Sequence, residues 1–168
     1  MYKSHDDTLF INDGAKLIGA IAHIFYENTK EVVRLYWCGH REMVACELYY
    51  WYALTEYLKH TDKKIMVLID SEDEIEKGHI QVFNKEKLNR QNDTISVKLI
   101  TEDDKKMIND TLIKEYCSFE VFDNNMFRFE YKLEGYKGYC SFNKPKTCEL
   151  LIKVFDKAFN NKKAKIII

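Results

Sequence analysis

Apolar residues along the chain follow two patterns, one with the period of a helical turn and one nearly continuous. Leu17, Ile18, Ile21, Ala22 and Phe25 share one stripe, which predicts a helix running from a cap at Asn12 or Asp13 to about Tyr26. "EVVRLYWC" (31–38) is short, β-branched and aromatic and stops at Gly39, as a buried strand does. A long helix is expected from Arg41 to His60, and its middle, "LYYWYAL", is apolar nearly all round. "KKIMVLID" (63–70) is the continuous apolar run of a central strand covered on both faces, and it ends at Asp70.

The stretch 71–94 is polar and predicts a short helix with exposed loops. "ISVKLI" (95–100) is a further strand and 102–116 a further helix. Strands over 118–123, 126–133 and 136–142 are separated by Asp123-Asn124-Asn125 and by Glu134-Gly135, both hairpin-type turn signals. The last helix, about Lys146 to Phe159, has Pro145 in its first turn and sets Leu150, Leu151, Val154, Phe155, Ala158 and Phe159 on one face. Alternation of helix and strand followed by a short antiparallel meander predicts an α/β fold, a three-layer sandwich with a mixed, mostly parallel sheet. The expectation is one domain over 1–168 with flexible ends at about 1–10 and 161–168.

Composition narrows the class. A chain of 168 residues is long enough to bury about two-thirds of its unfolded surface without a disulfide or metal staple. The five cysteines (Cys38, Cys46, Cys117, Cys140, Cys148) show no CxxC pairing and sit in apolar stretches, so they read as buried thiols of a cytosolic protein. No apolar run reaches the ~20 residues of a membrane span, and "MYKSHDDTLF" has no basic region followed by a hydrophobic core. A cytoplasmic location without membrane contact is expected. The formal net charge of −1 gives no whole-molecule attraction to nucleic acid or anionic lipid, and leaves that role to a local basic patch. Eleven Tyr, ten Phe and two Trp point to a thick core or a partner interface.

Motifs for the common chemistries are missing. There is no GxGxxG or GxxxxGK[ST], and the histidines are scattered with no HExxH, so no cofactor and no metal is expected. His40, after Gly39 at the carboxyl end of a strand, forms either an ordinary helix entry or a polar cluster with Arg41 and Glu42. The acidic runs "DSEDE" and "EDD" read as solvated faces. The long helix lacks a wide polar stripe, which predicts a homodimer or stable partner contact through Tyr49, Tyr50, Trp51 and Tyr52. In "FRFEYK" strict alternation sets Phe127, Phe129 and Tyr131 on one face and Arg128, Glu130 and Lys132 on the other. The polar face is either an exposed strand face with an ion pair, or a ligand or partner site beside Ser141 and Asn143.

The element order, with "FEVFD" ending a strand and "CSFN" preceding the last helix, resembles a single repeat of the phospholipase D superfamily. The family's H-x-K-x4-D and Gly-Ser-x-Asn motifs supply a histidine nucleophile or acid and a lysine and asparagine that hold phosphate. The match puts Asp123 at the family's aspartate and Ser141 and Asn143 at its serine and asparagine, with Cys140 in place of glycine. It also puts Tyr116 at the histidine and Ser118 at the lysine, and H-x-K occurs nowhere in the chain. A phenol with a reference pKa of about 10 and an uncharged alcohol replace neither group.

The resemblance therefore implies a non-catalytic, dimerising binding or assembly subunit, set in a bacterial antiviral or restriction system. A larger protein partner would supply recognition or chemistry, with nucleic acid reached through it. One alternative is a metal-dependent nuclease or phosphodiesterase using Asp123, Glu130 or Glu120, which requires those carboxylates to converge. Another is a small-ligand sensor beside Asn143, which requires a closed apolar pocket lined by the Tyr-rich helix.

Overall fold

Strand pairing departs from the expected mostly parallel sheet. A computed structural model describes residues 9–12, 14–38, 48–74, 78–90, 93–113, 117–132 and 137–168. Its strands are β1 (Phe10–Asn12), β2 (Val32–Trp37), β3 (Lys64–Ile69), β4 (Ile95–Leu99), β5 (Ser118–Phe122), β6 (Met126–Lys132), β7 (Lys137–Ser141) and β8 (Lys165–Ile166). They form one sheet in the order β1-β7-β6-β5-β2-β3-β4-β8. Only β2/β3 and β3/β4 run parallel, whereas five pairings, among them β5/β2 and β4/β8, are antiparallel. The meander β5-β6-β7 does not stand apart from the parallel strands but continues their sheet through β5, and β1 and β8 close the two edges antiparallel. The sheet is mixed and mostly antiparallel.

The described helices are α1 (Ala15–Asn28), α2 (Leu48–Leu58), α3 (Gly78–Arg90), α4 (Glu102–Leu112) and α5 (Pro145–Phe159). α1, α2 and α3 bury Ile18, Phe25, Leu54 and Phe83 on one face of the sheet, against Val33, Leu35, Ile65 and Val97. α4 and α5 bury Ile108, Leu151, Val154 and Phe155 on the other, against Tyr36, Leu68, Phe119 and Phe127. Three layers result, because period-2 alternation gives each central strand an apolar side chain on both faces.

Local sequence explains most of the ends. Thr101 caps α4: its hydroxyl accepts from the Asp104 amide at 3.1 Å, and the Asp104 carboxylate accepts from the Thr101 amide at 3.2 Å. Pro145 opens α5. The predicted apolar faces are right except at their margins: Leu17 and Leu150 are both 45% exposed, while the buried face of α5 begins at Cys148. Asn12 lies in β1 and Gly14 takes the N-cap position of α1. Asp13, the Gly39 to Glu42 cluster and the first part of the predicted Arg41 to His60 helix lie outside the described residues.

The C-terminal segment packs back onto the sheet. Ile167 and Ile168 donate backbone hydrogen bonds to the Val97 carbonyl at 2.9 and 3.2 Å, and Ile168 is buried. Asn161 donates from Nδ2 to both Asp104 oxygens at 2.9 Å. At the other end, β1 pairs Phe10 with Cys140.

Candidate functional site

Arg128 and Glu130 do not lie on an exposed strand face, as one reading expected. Arg128, Glu130 and Glu120 are all 0% exposed and sit on the face of β5 and β6 that α2 covers. Arg128 faces Glu120 across the β5/β6 ladder. Its guanidinium donates from Nη2 to Glu130 Oε2, and Nη1 lies 3.7 Å from Glu120 Oε1. The Tyr50 hydroxyl, from α2, donates to Glu120 Oε1 at 2.9 Å and lies 3.4 Å from the Tyr26 hydroxyl of α1. Burial first, then the Tyr50 and Glu120 groups, raises the Tyr26 pKa well above its ordinary value. An internal ionic cluster of this kind ties two strands to two helices.

Asp123 and Asn143 lie in turns, and Ser141 ends β7 beside one. Asp123 has φ 54°, the left-handed region that Asp and Asn tolerate. Its carboxylate accepts from the backbone amides of Lys30, Glu31 and Val32 at 2.9, 3.0 and 3.0 Å, clamping the entry to β2. Ser141 is buried and its hydroxyl accepts from the Asn143 amide at 3.4 Å, shaping the turn into α5. Ser141 pairs with Phe127 and therefore lies on the α5 side, opposite to Arg128 and Glu130. The structure thus separates what the sequence suggested as one site. Asp123 is engaged with backbone, and Glu120 and Glu130 with Arg128, so no shared carboxylate centre forms. Among the described residues no three His, Cys, Asp or Glu side chains come together to hold a metal ion. Tyr116 lies outside the described residues.

The proposed interface tyrosines split. Tyr49 and Tyr52 are 67% and 57% exposed, Trp51 is half-buried, and Tyr50 is buried in the ionic cluster and is no surface residue. Between α1 and α2 lies a half-open cleft of about 490 Å³ lined by His23, Glu27, Tyr52, Glu56, His60 and Lys63 among others. Its polar lining differs from the closed apolar pocket that a ligand sensor required.

Two features escaped sequence reasoning. At the carboxyl ends of β2 and β3, buried Asp70 accepts an ion pair from Lys105 of α4, Nζ to Oδ2 at 2.8 Å. The partner Asp70 raises the Lys105 pKa, and burial, followed by Asp70, pushes the Cys38 thiol up to about 12. Asp70 at the end of an apolar strand was the visible signal, but its partner lies in a helix beyond the next strand.

The second feature is a lysine face. Lys146, Lys153 and Lys157 recur at seven and four residues on the exposed side of α5, and Lys162, Lys163 and Lys165 follow in sequence, also exposed, with Lys165 pairing with Glu72 at 3.2 Å. Residues 144–168 hold seven lysines against Glu149 and Asp156, a net +5, so with −1 for the whole chain residues 1–143 carry −6. Asp156 is itself engaged, accepting from Arg34 Nε at 3.1 Å. Beside α5 an open groove of about 900 Å³ at the base of the sheet is lined by Lys30, Glu31, Arg34, Asn124 and Ile152 among others. A neighbouring groove of about 490 Å³ shares Lys30 and Arg34 and adds Lys64 and Asp62. A whole-chain charge near zero concealed this separation.

No protein-family model matches the chain, and no curated protein matches its sequence. Among solved structures it is similar to TrmBL2, an archaeal chromatin protein whose structure shows a novel mode of DNA binding. The TM-score is 0.61 at 12% identity, over 96% of this chain and 55% of that one. The fold is shared. This chain spans about half the length of TrmBL2. The match overturns the expectation of a phospholipase D-like assembly subunit in a defence system, since the matched fold occurs in a protein described by its own binding to DNA. Among the described residues no helix is long and apolar enough to cross a membrane.

Proposed function

We propose that this chain is a DNA-associated α/β domain that holds the phosphate backbone on the lysine face of α5 and the segment after it. The observation that carries the reading is the charge separation, a net +5 over residues 144–168 of a chain whose total is −1. The DNA-binding chromatin protein of similar fold supports it. The stripe from Lys146 to Lys157 covers eleven helical steps, about 16 Å at ~1.5 Å each. Duplex DNA rises ~3.4 Å per nucleotide of one strand, so such a stripe follows a backbone across about five nucleotides.

Lysines that reach phosphates position a duplex without reading it. Binding is therefore sequence-tolerant and salt-sensitive. The same reading makes the chain cytoplasmic, beside DNA. A phospholipase D-like kinship belongs to the proposal as well: Asp123, Ser141 and Asn143 are retained as turn-forming residues, without the histidine and lysine of the family's chemistry.

Fluorescence anisotropy with a duplex of about 20 base pairs at roughly 50 mM salt tests the reading. Binding should be measurable there and weaken by orders of magnitude toward 200 mM, as counterion release requires. Absence of binding at the lower salt overturns it.

A further inference from the structure

β2 and β5 pair antiparallel with Val33 opposite Phe122 and Tyr36 opposite Phe119. Continued two positions past Tyr36, that register would bring Cys38 opposite Cys117. The paired register ends at Tyr36 and Phe119, and just beyond it the two segments stay in touch through the Cys38 amide, which donates to Ser118 Oγ at 2.9 Å. Alternation turns both cysteines to the same side, and both belong to the core cluster beneath α4 and α5 with Tyr36, Phe119 and Val121. Neither is in a disulfide. Directly opposite antiparallel residues hold their Cα atoms about 4.5 to 5.5 Å apart, inside the roughly 4.4 to 6.8 Å that a disulfide spans. The Tyr36 hydroxyl adjoins both thiols: burial first, then Cys38, Asp70 and Cys117, raises its pKa.

The geometry points to a covalent cross-link site, with Cys38 and Cys117 joined by a peroxide-class oxidant into a cross-strand disulfide between β2 and β5. One sulfur, as thiolate, attacks a peroxide oxygen; the O–O bond breaks, giving a sulfenic acid and, with the released thiol proton, one water. The second sulfur then attacks the sulfenic sulfur, the S–O bond breaks, and its thiol proton leaves with the hydroxide as a second water. Each sulfur loses one electron and the peroxide gains two.

Burial pushes the Cys38 thiol up to about 12, so the thiolate is scarce and the reaction is slow at neutral pH and faster in alkali. Among the described residues the other buried thiols, Cys140 and Cys148, have no cysteine facing them in the register: Cys140 faces Arg128 and Phe10, and Cys148 lies in α5. The link would fasten the seam where the parallel strands meet the antiparallel meander. It also closes a long loop of the unfolded chain, which stabilises the folded state.

The test uses the intact, folded chain treated with hydrogen peroxide at about pH 8.5, alkylated, and digested with trypsin without reductant. Cleavage after Arg34, Arg41, Lys114 and Arg128 yields 35–41 and 115–128, each with a single cysteine. The expected product is these two peptides linked, released again by reductant, with a higher urea midpoint for the oxidised protein. A Cys38→Ser variant treated identically should show neither. Links confined to other cysteines, no link in protein that stays folded, or an oxidised form no more stable than the reduced one overturns the proposal.

Discussion

Replacing Arg128 by Met removes one cation from a place where water cannot substitute for it. Arg128, Glu120 and Glu130 are each 0% exposed, and the guanidinium is the cation that both carboxylates face. Met roughly fills the volume of the arginine stem, so the loss is chiefly electrostatic. Removing one partner of a buried ionic cluster costs about 3 to 5 kcal/mol, a large share of the roughly 5 to 15 kcal/mol that stabilises a domain. At this length each kcal/mol corresponds to about 2 to 4 °C, so Arg128→Met should melt on the order of 10 °C lower. Urea unfolding followed by Trp37 and Trp51 fluorescence measures it. A second variant separates charge from packing: Arg128→Met/Glu120→Gln/Glu130→Met keeps an acceptor for Tyr50 and removes all three charges of this cluster. It should recover most of the loss, because well-packed neutral replacements of buried ion pairs are often neutral or stabilising. An Arg128→Met protein within about 1 kcal/mol of the parent would refute the reasoning, since the carboxylates would then not depend on the guanidinium.

Asp123→Ala leaves three backbone amides without their acceptor and sets a Cβ-bearing residue with little αL tolerance at φ 54°; at this half-buried position it should cost about 2 to 3 kcal/mol, and Asp123→Asn clearly less, by the same urea titration. On α5, Leu151→Ala should cost about 2 to 5 kcal/mol while Leu150→Ala stays within about 0.5 kcal/mol, because only Leu151 enters the core. Stability should fall as pH rises from about 9 toward about 12, since Cys38 and Cys148 have folded pKa values pushed up to about 12 from an ordinary 9.0. The folded state then binds protons that the unfolded state has lost, so stabilisation is full below the unfolded value and disappears through the folded one. The raised Lys105 pKa acts in the same direction. A flat urea midpoint over that range would contradict the burial of these groups.

Element type was legible wherever periodicity was strong. "KIMVLI" and the apolar stripe of α5 needed nothing beyond alternation and helical spacing. Strand direction was not legible, because a continuous apolar run marks burial on two faces without saying which neighbour lies beside it. β5 reads as part of a terminal hairpin, yet it pairs with β2 across a long separation in sequence. Edge strands of two or three residues, such as Lys165–Ile166, carry too few positions to show a period.

The dispersal of the candidate site residues has a related cause. Alternation sorted Arg128 and Glu130 from Phe127 and Phe129 correctly, but hydrophobicity cannot reveal that a helix covers the polar side. Tyr50, read as an interface residue, is the part of that cover which hydrogen-bonds Glu120. The face of Ser141 is set by the β6/β7 register, which pairs it with Phe127, and sequence alone does not give that register. The lysine face was present in the sequence all along, since a window over 144–168 separates it from the acidic remainder.

The most direct test of DNA association is the salt dependence of duplex binding for three proteins: the parent, Lys153→Glu/Lys157→Glu, and Lys59→Glu in the turn after helix α2 on the opposite face of the sheet. If four or five lysines of α5 and its tail replace counterions, the parent should show a log–log slope of about −4. The α5 variant should bind at least about tenfold more weakly with a slope shallower by roughly two, and Lys59→Glu should match the parent. Equal slopes for all three proteins, or no duplex binding by the parent, would contradict the account.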